Sequence, residues 1–229
     1  LATLGPSSME KSIVEKMDSA GVDIFRINLS HTKLENLKEI IEKISFWTKK
    51  PICIDTEGAQ IRTGEIRDNK IKIKNNTIVQ LTSGNLLGDQ FIIPLYPIIS
   101  YKVLQVGDII AIDFHSVVVQ VIKIEKEEVF ARVLSEGEIS SNKGVNVDRQ
   151  IDLPAFTEKD LKAFEISKNL GLTYFSFSFA AHSKDIETLR SFFFYPISVI
   201  SKIESKLGLV NLEDICKASD ALLIDRGDL

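Results

Sequence analysis

Three short stretches carry side chains whose types and spacing could do chemistry. Lys202-x-Glu204 sets an ammonium and a carboxylate two residues apart, Arg26-x-Asn28-x-Ser30-His31 sets out a guanidinium, an amide and a hydroxyl in the same rhythm, and Asp55-Thr56 closes an apolar run. Alternate residues of a strand face the same way, so each set shares one face if its stretch is extended. A lysine at a strand end can stabilise negative charge developing on oxygen, and a glutamate beside it can hold a divalent cation. Glu204 and Asp228, from successive apolar runs, give the two carboxylates that a Mg2+ or Mn2+ site needs. Asn28, Ser30, Asp55 and the Thr56 carbonyl are hard oxygen donors suited to an alkali or alkaline-earth cation. The planar fork of Arg26 suits phosphate or carboxylate. Each set has a plainer alternative: Arg26 as one half of a structural ion pair, Asp55 as a loop cap, Lys202 and Glu204 as an internal ion pair. For the last pair, the position at a strand's C-terminal end favours function.

The elements that must position these residues alternate regularly. "LATLG" reads as the end of a strand, Pro6 follows with Ser7 and Ser8 as candidate N-caps, and Met9, Ile13, Val14 and Met17 repeat at helical spacing up to Gly21. "VDIFRINLSH" is a strand that turns polar at its end. Leu34, Leu37, Ile40, Ile41 and Ile44 mark a second helix, and "PICIDTEG" is a third strand. From Gly64 to about Val147 the helical period disappears; "NKIKIKNN" and parts of "DIIAIDFHSVVVQVIKI" alternate with period two, and Gly84, Gly88, Gly107 and Gly137 mark turns. Thr157 with Asp160 three residues on signals a helix start. Strand "TYFSFSFA", helix "SKDIETLRSFFF", strand "ISVISKIE", helix "LGLVNLEDICK" and strand "DALLIDRGD" complete the chain. The expected organisation is an α/β part over residues 1–64, an inserted all-β domain over 65–147, and the α/β part resumed over 148–229. Six βα-type strands fit an open doubly wound sheet or most of an eight-stranded barrel, and in both the C-terminal strand ends line the ligand site.

Composition narrows the classes. Of 229 residues, 44% are hydrophobic and 26% charged, which is globular, and a net charge of -4 without a basic run argues against nucleic acid as a partner. No apolar window is long enough to span a membrane. The two cysteines, Cys53 and Cys216, lie far apart in apolar surroundings and read as buried, reduced thiols of a cytoplasmic protein. "LATLGPSSMEK" has neither the basic start nor the apolar core of a signal peptide and reads as a strand already under way, so the expectation is a chain trimmed at both ends. His115 and His182 stand alone and read as surface or structural histidines. The tripeptide Arg226-Gly227-Asp228 also spells an adhesion motif, but that reading needs an exposed loop of an extracellular protein.

Six stretches in order and register, "ATLGPSS", "DIFRINLSHT", "DTEGAQIRTGEI", "NKGVNVDRQIDLPAFTEKD", "ISKIES" and "ASDALLIDRGDL", make the sequence resemble the pyruvate kinase family over nearly the whole chain. The resemblance implies a (β/α)8 TIM-type barrel, here incomplete, interrupted after its third strand by a β-barrel lid. It implies phosphoryl transfer between phosphoenolpyruvate and ADP, giving pyruvate and ATP, in a cytoplasmic, glycolytic, homo-oligomeric enzyme. Carried over by position, Lys202 and Arg26 would be catalytic; Gly227, Asp228 and Lys202 would bind substrate; Arg26, His31 and Arg62 would bind nucleotide and the transferring phosphoryl group. Glu204 and Asp228 would hold Mg2+ (or Mn2+), and Asn28, Ser30, Asp55 and Thr56 would hold K+.

The sequence departs from the family pattern at several of these places. Glu57, Ala59 and Gln60 replace the usual Lys, Pro and Glu, and the Gln60 position bears on monovalent-cation dependence. Asp113-Phe114-His115 replaces an Asp-Asp-Gly turn of the lid, Ala181-His182 replaces an Arg-Lys pair near the nucleotide, and Asp225 replaces a small residue beside the substrate carboxylate. Two further readings accommodate these changes: a metal-dependent enzyme acting on a pyruvate or enolpyruvate acid with another acceptor, and a non-catalytic assembly or regulatory subunit.

Overall fold

The computed structural model of the protein describes residues 1–83, 86–97, 102–126 and 128–224. The chain opens with β1 (Ala2–Leu4), α1 (Lys11–Ser19), β2 (Phe25–Asn28), α2 (Leu34–Trp47) and β3 (Ile52–Asp55). Ser7 and Ser8 do not cap α1, whose N-cap is Glu10. Ser8 instead closes the turn after β1, accepting from the Gly5 amide at 2.9 Å, because a short hydroxyl competes well for a nearby backbone group.

Nine strands follow: β4 (Ile61–Thr63), β5 (Lys70–Ile73), β6 (Ile78–Ser83), β7 (Ile92–Tyr96), β8 (Ile109–Ile112), β9 (Val117–Glu125), β10 (Glu128–Ser135), β11 (Gly137–Ser140) and β12 (Gly144–Val147). A 3-10 turn at Arg67–Asn69 lies between β4 and β5. The chain then runs through α3 (Glu158–Asn169), β13 (Tyr174–Phe177), α4 (Ser183–Ser191), β14 (Ser198–Ile203), α5 (Lys206–Val210), α6 (Leu212–Ala218) and β15 (Ala221–Ile224). Two helical predictions shorten. α4 stops before the Phe192–Phe194 run, and the helix expected over residues 207–217 divides at Asn211, which ends α5 and caps α6.

The chain divides into two compact units, Leu1–Ala59 with Pro154–Leu229, and Gln60–Leu153. The second unit holds a closed seven-stranded barrel, ordered β10-β6-β7-β4-β12-β8-β9, and a two-stranded sheet of β11 and β5. Inward-facing residues such as Val79, Leu81, Val117, Val119, Val129 and Ala131 fill its core, as period-two strands require.

The first unit holds one parallel six-stranded sheet, ordered β1-β2-β3-β13-β14-β15. Strand alternation sorts its side chains. Phe25, Ile27, Ile52, Ile54, Phe175, Phe177, Val199 and Ile203 join helix residues Val14, Leu37, Ile41, Ile44, Phe164, Ile186, Leu189 and Ile215 in one core. The intervening residues Arg26, Asn28, Cys53, Asp55, Ser176, Lys202 and, past the strand's end, Ser178 therefore share the opposite face. A thiol correction belongs here as well: Cys53 is buried on that face, whereas Cys216 is exposed, because Ile215 takes the inward position of α6 and the next residue of a helix points elsewhere.

Candidate active site

The polar face of the parallel sheet gathers its charges at the C-terminal ends of the strands. Register brings Asn28 beside Asp55 and Asp55 beside Ser176. Continuing the β13–β14 ladder one step places Ser178 beside Lys202. Lys202 is nearly buried, at 6% exposure. Its Nζ meets three acceptors: Glu204 Oε1 at 2.9 Å, Ser178 Oγ at 3.0 Å and Asp55 Oδ1 at 3.4 Å. An ammonium has three N–H groups, so the count closes.

Glu204 is held on its other oxygen by the Phe179 amide, 2.8 Å from Oε2. Burial raises its carboxyl above the ordinary value, opposed chiefly by the Lys202 charge. Arg26 lies at the rim. Its Nε donates to Thr3 Oγ1 at 2.8 Å and its Nη1 stands 3.5 Å from Asp55 Oδ2. Asp55 Oδ2 has no hydrogen-bond partner among the described residues, although its side chain is buried. Two cations thus face two carboxylates, which keeps the cluster near neutral and makes its burial tolerable. Both plainer readings of the sequence are physically present, Arg26 beside an acid and Lys202 beside Glu204, and the structure joins them through Asp55 into one cluster at the strand ends.

The other predicted positions divide by unit. Asn28 Oδ1 accepts from the Ser30 amide at 2.8 Å and so turns β2 into the 3-10 turn Leu29–His31, where His31 is exposed. Thr56 is buried, and its carbonyl accepts from Ser178 Oγ at 2.7 Å. Arg62 belongs to the second unit, in β4, where its Nη1 donates to the Asn142 carbonyl at 3.1 Å. Gly227 and Asp228, with Asp225 and Arg226, lie outside the described residues. Among the described residues no group of three or more His, Cys, Asp or Glu is disposed to hold a metal ion, and no helix is long and apolar enough to cross a membrane.

Sequence reading missed the groups that hold this cluster in place. Ser178 is one; the alternation of Ser with Phe in "FSFS" was its signal, since one face of that strand is aromatic and the other hydroxylic. A second set stands behind Asp55 and Thr56. Asp160, fully buried, accepts from the amides of Thr157, Glu57 and Gly58 at 3.0, 2.8 and 3.2 Å. Glu57 takes Thr157 Oγ1 at 2.9 Å and Lys159 Nζ at 3.0 Å, and Lys159 also donates to the Leu29 carbonyl at 2.5 Å. The substituted Glu57 is therefore paired within its own unit. Gly58 has φ +72 and a Cβ there would sit 2.5 Å from the Ser178 carbonyl oxygen, so only glycine lets the segment after β3 pass this close to the end of β13. The Ala181-His182 substitution is also tied down: Asn211 Nδ2 donates to the Ala181 carbonyl at 2.8 Å and lies 3.2 Å from His182 Nδ1.

The whole chain, residues 1–229, matches the family described as pyruvate kinase, barrel domain. It is 32% identical over 239 residues to the pyruvate kinase of Aeropyrum pernix and 32% identical over 243 residues to that of Thermotoga maritima, covering 100% of this chain and 51% of each relative. It is 31% identical over 242 residues to the pyruvate kinase of Staphylococcus aureus, covering 100% of this chain and 41% of that protein. The chain spans about half the length of the curated relatives it matches. With its parallel sheet, its inserted β-barrel unit and its match from first residue to last, the chain belongs to the pyruvate kinase family.

Proposed function

We propose that the protein transfers a phosphoryl group between phosphoenolpyruvate and ADP, with the parallel sheet forming part of a (β/α)8 barrel and the Gln60–Leu153 unit acting as its lid. The observation that carries this reading is the buried Lys202 ammonium, bracketed by Glu204, Ser178 and Asp55 at the strand ends. In the pyruvate-forming direction the bond from phosphorus to the enol oxygen breaks, a bond to an ADP oxygen forms, and the enolate left behind takes a proton to give pyruvate. Such a transfer asks little covalent work of a protein and much positioning of positive charge. Lys202 would face the oxygen on which charge develops, exchanging its longest contact, Asp55 at 3.4 Å, for substrate. Arg26, anchored through Thr3, would engage the phosphoryl oxygens with its remaining N–H groups.

The donor chemistry fits the family's cations. Glu204 would hold Mg2+ (or Mn2+) together with Asp228; each carboxylate oxygen has two lone pairs, so its contacts with Lys202 and Phe179 leave room for a metal. When bound, that ion would neutralise charge on the transferring group. The buried Asp55 Oδ2 without a hydrogen-bond partner suits K+, with Asn28, Ser30 and Thr56 as further oxygen donors.

A second reading keeps the metal end but changes the acceptor. It is favoured by the Ala181-His182 segment, which offers no fixed cation where the family pattern has two and is tied to Asn211. The decisive measurement is pyruvate release from phosphoenolpyruvate with Mg2+, with and without ADP. Release that requires ADP and falls by at least about a hundredfold in Lys202→Met supports phosphoryl transfer to ADP. Release without ADP, or only with another acceptor, supports the second reading, and no release with any acceptor overturns both.

A further inference from the structure

We propose that Ser178 is a positioning residue for Lys202, an inference that deepens the phosphoryl-transfer reading and rests on it for its catalytic meaning. The hydroxyl of Ser178 has one proton and two lone pairs. Its oxygen lies 2.7 Å from the Thr56 carbonyl, 3.3 Å from Asp55 Oδ1 and 3.0 Å from Lys202 Nζ. The carbonyl is the nearer acceptor and takes the proton. That leaves a lone pair aimed at the ammonium, which can only donate. The Ser178 amide meanwhile donates to Thr56 Oγ1 at 3.0 Å. The Ser178 oxygen is therefore fixed from two directions by one residue of the neighbouring strand end, and it is nearly buried, at 3% exposure.

The consequence concerns the freedom of the lysine. A lysine side chain has four rotatable bonds and an ammonium that adapts to whatever oxygens surround it. Glu204 alone would let Nζ swing about a single tether. Glu204 and Ser178 together define a direction, and the third N–H is the one aligned with the long Asp55 contact. That third donor is the one free to turn to a substrate oxygen. Gly58 belongs to the same device, because any side chain there would push the Thr56 segment away from Ser178.

The test combines lysine reactivity with turnover. Amine acylation followed by peptide mass mapping is run on the protein and on Ser178→Ala, Ser178→Thr and Ser178→Cys, with exposed Lys33 and Lys217 as internal references. Ser178→Ala is expected to speed Lys202 acylation by at least about threefold and to lower kcat by about tenfold with KM for phosphoenolpyruvate nearly unchanged. Ser178→Thr restores both, and Ser178→Cys, a weak acceptor of similar size that keeps the fold, falls between. An unchanged Lys202 rate in both Ala and Cys variants, or a rise shared by the reference lysines, overturns the proposal. A selective rise at Lys202 in a protein that releases no pyruvate leaves the positioning role intact and removes the phosphoryl-transfer reading instead.

Discussion

Glu204 and Asp160 are both buried carboxyls raised by burial, yet they differ in what compensates them. Glu204 has an ammonium 2.9 Å away, while Asp160 has three backbone amides and is pushed up to about 6 from an ordinary 3.8. For Glu204 the expected outcome is ligand chemistry: Glu204→Gln weakens Mn2+ binding by at least about tenfold, measured by electron paramagnetic resonance titration, since a neutral amide replaces an anionic oxygen. For Asp160 it is pH dependence. The folded protein holds this proton more tightly than the unfolded chain does, so the stabilising contribution is complete below about pH 3.8 and is lost as pH rises through about 6. Its size is on the order of 3 kcal/mol. Denaturant midpoints of the protein and of Asp160→Asn, compared from pH 4 to 7, should converge at one end of that window and diverge at the other; parallel curves would show that Asp160 does not titrate there.

At the scale of elements, α3 begins with a complete capping box. Thr157 Oγ1 accepts from the Asp160 amide while Asp160 returns a bond to the Thr157 amide. The same Thr157 hydroxyl reaches Glu57, so the start of α3 and the segment after β3 stand or fall together. Thr157→Ala is expected to cost about 1 to 2 kcal/mol, read as a fall of a few degrees in Tm, with faster amide exchange at both Glu57 and Asp160. A loss confined to α3 would show the two segments to be independent. This helix start was legible in the sequence, because capping is a local rule: Thr157 and Asp160 need only each other. So were the six parallel strands, read as short apolar runs that alternate with stretches of helical period. What sequence could not show is the partner of Ser178, although the alternation of Ser with Phe marks its face. A serine in an aromatic strand matters only once register sets it beside Lys202, and register depends on pairs far apart in the chain. Ser8 failed for the converse reason: a turn with Gly5 used the hydroxyl that a helix start could have used.

For the whole molecule, two separate hydrophobic cores, one around Phe25, Phe164 and Phe175 and one around Val79, Val119 and Val129, follow from one change in period at the end of β3. In the sequence the loss of helical period falls over residues 65–147, whereas the second compact unit is Gln60–Leu153. The residues that join Lys202 to Arg26 were legible as types but not as a cluster, since Asp55 enters from a third strand. Cys53 lies on the same strand as Asp55 and is wholly buried, its thiol pushed up to about 12, first by burial and then by the Asp55 charge. Cys216, on α6, is open to solvent. A disulfide reagent such as Ellman's should therefore consume one thiol within seconds and the second only as fast as the parallel sheet opens. Ligands that tighten the sheet would slow that second step, so the buried thiol serves as a clock for the protein's own occupancy, readable through the reagent's colour without any assay of turnover.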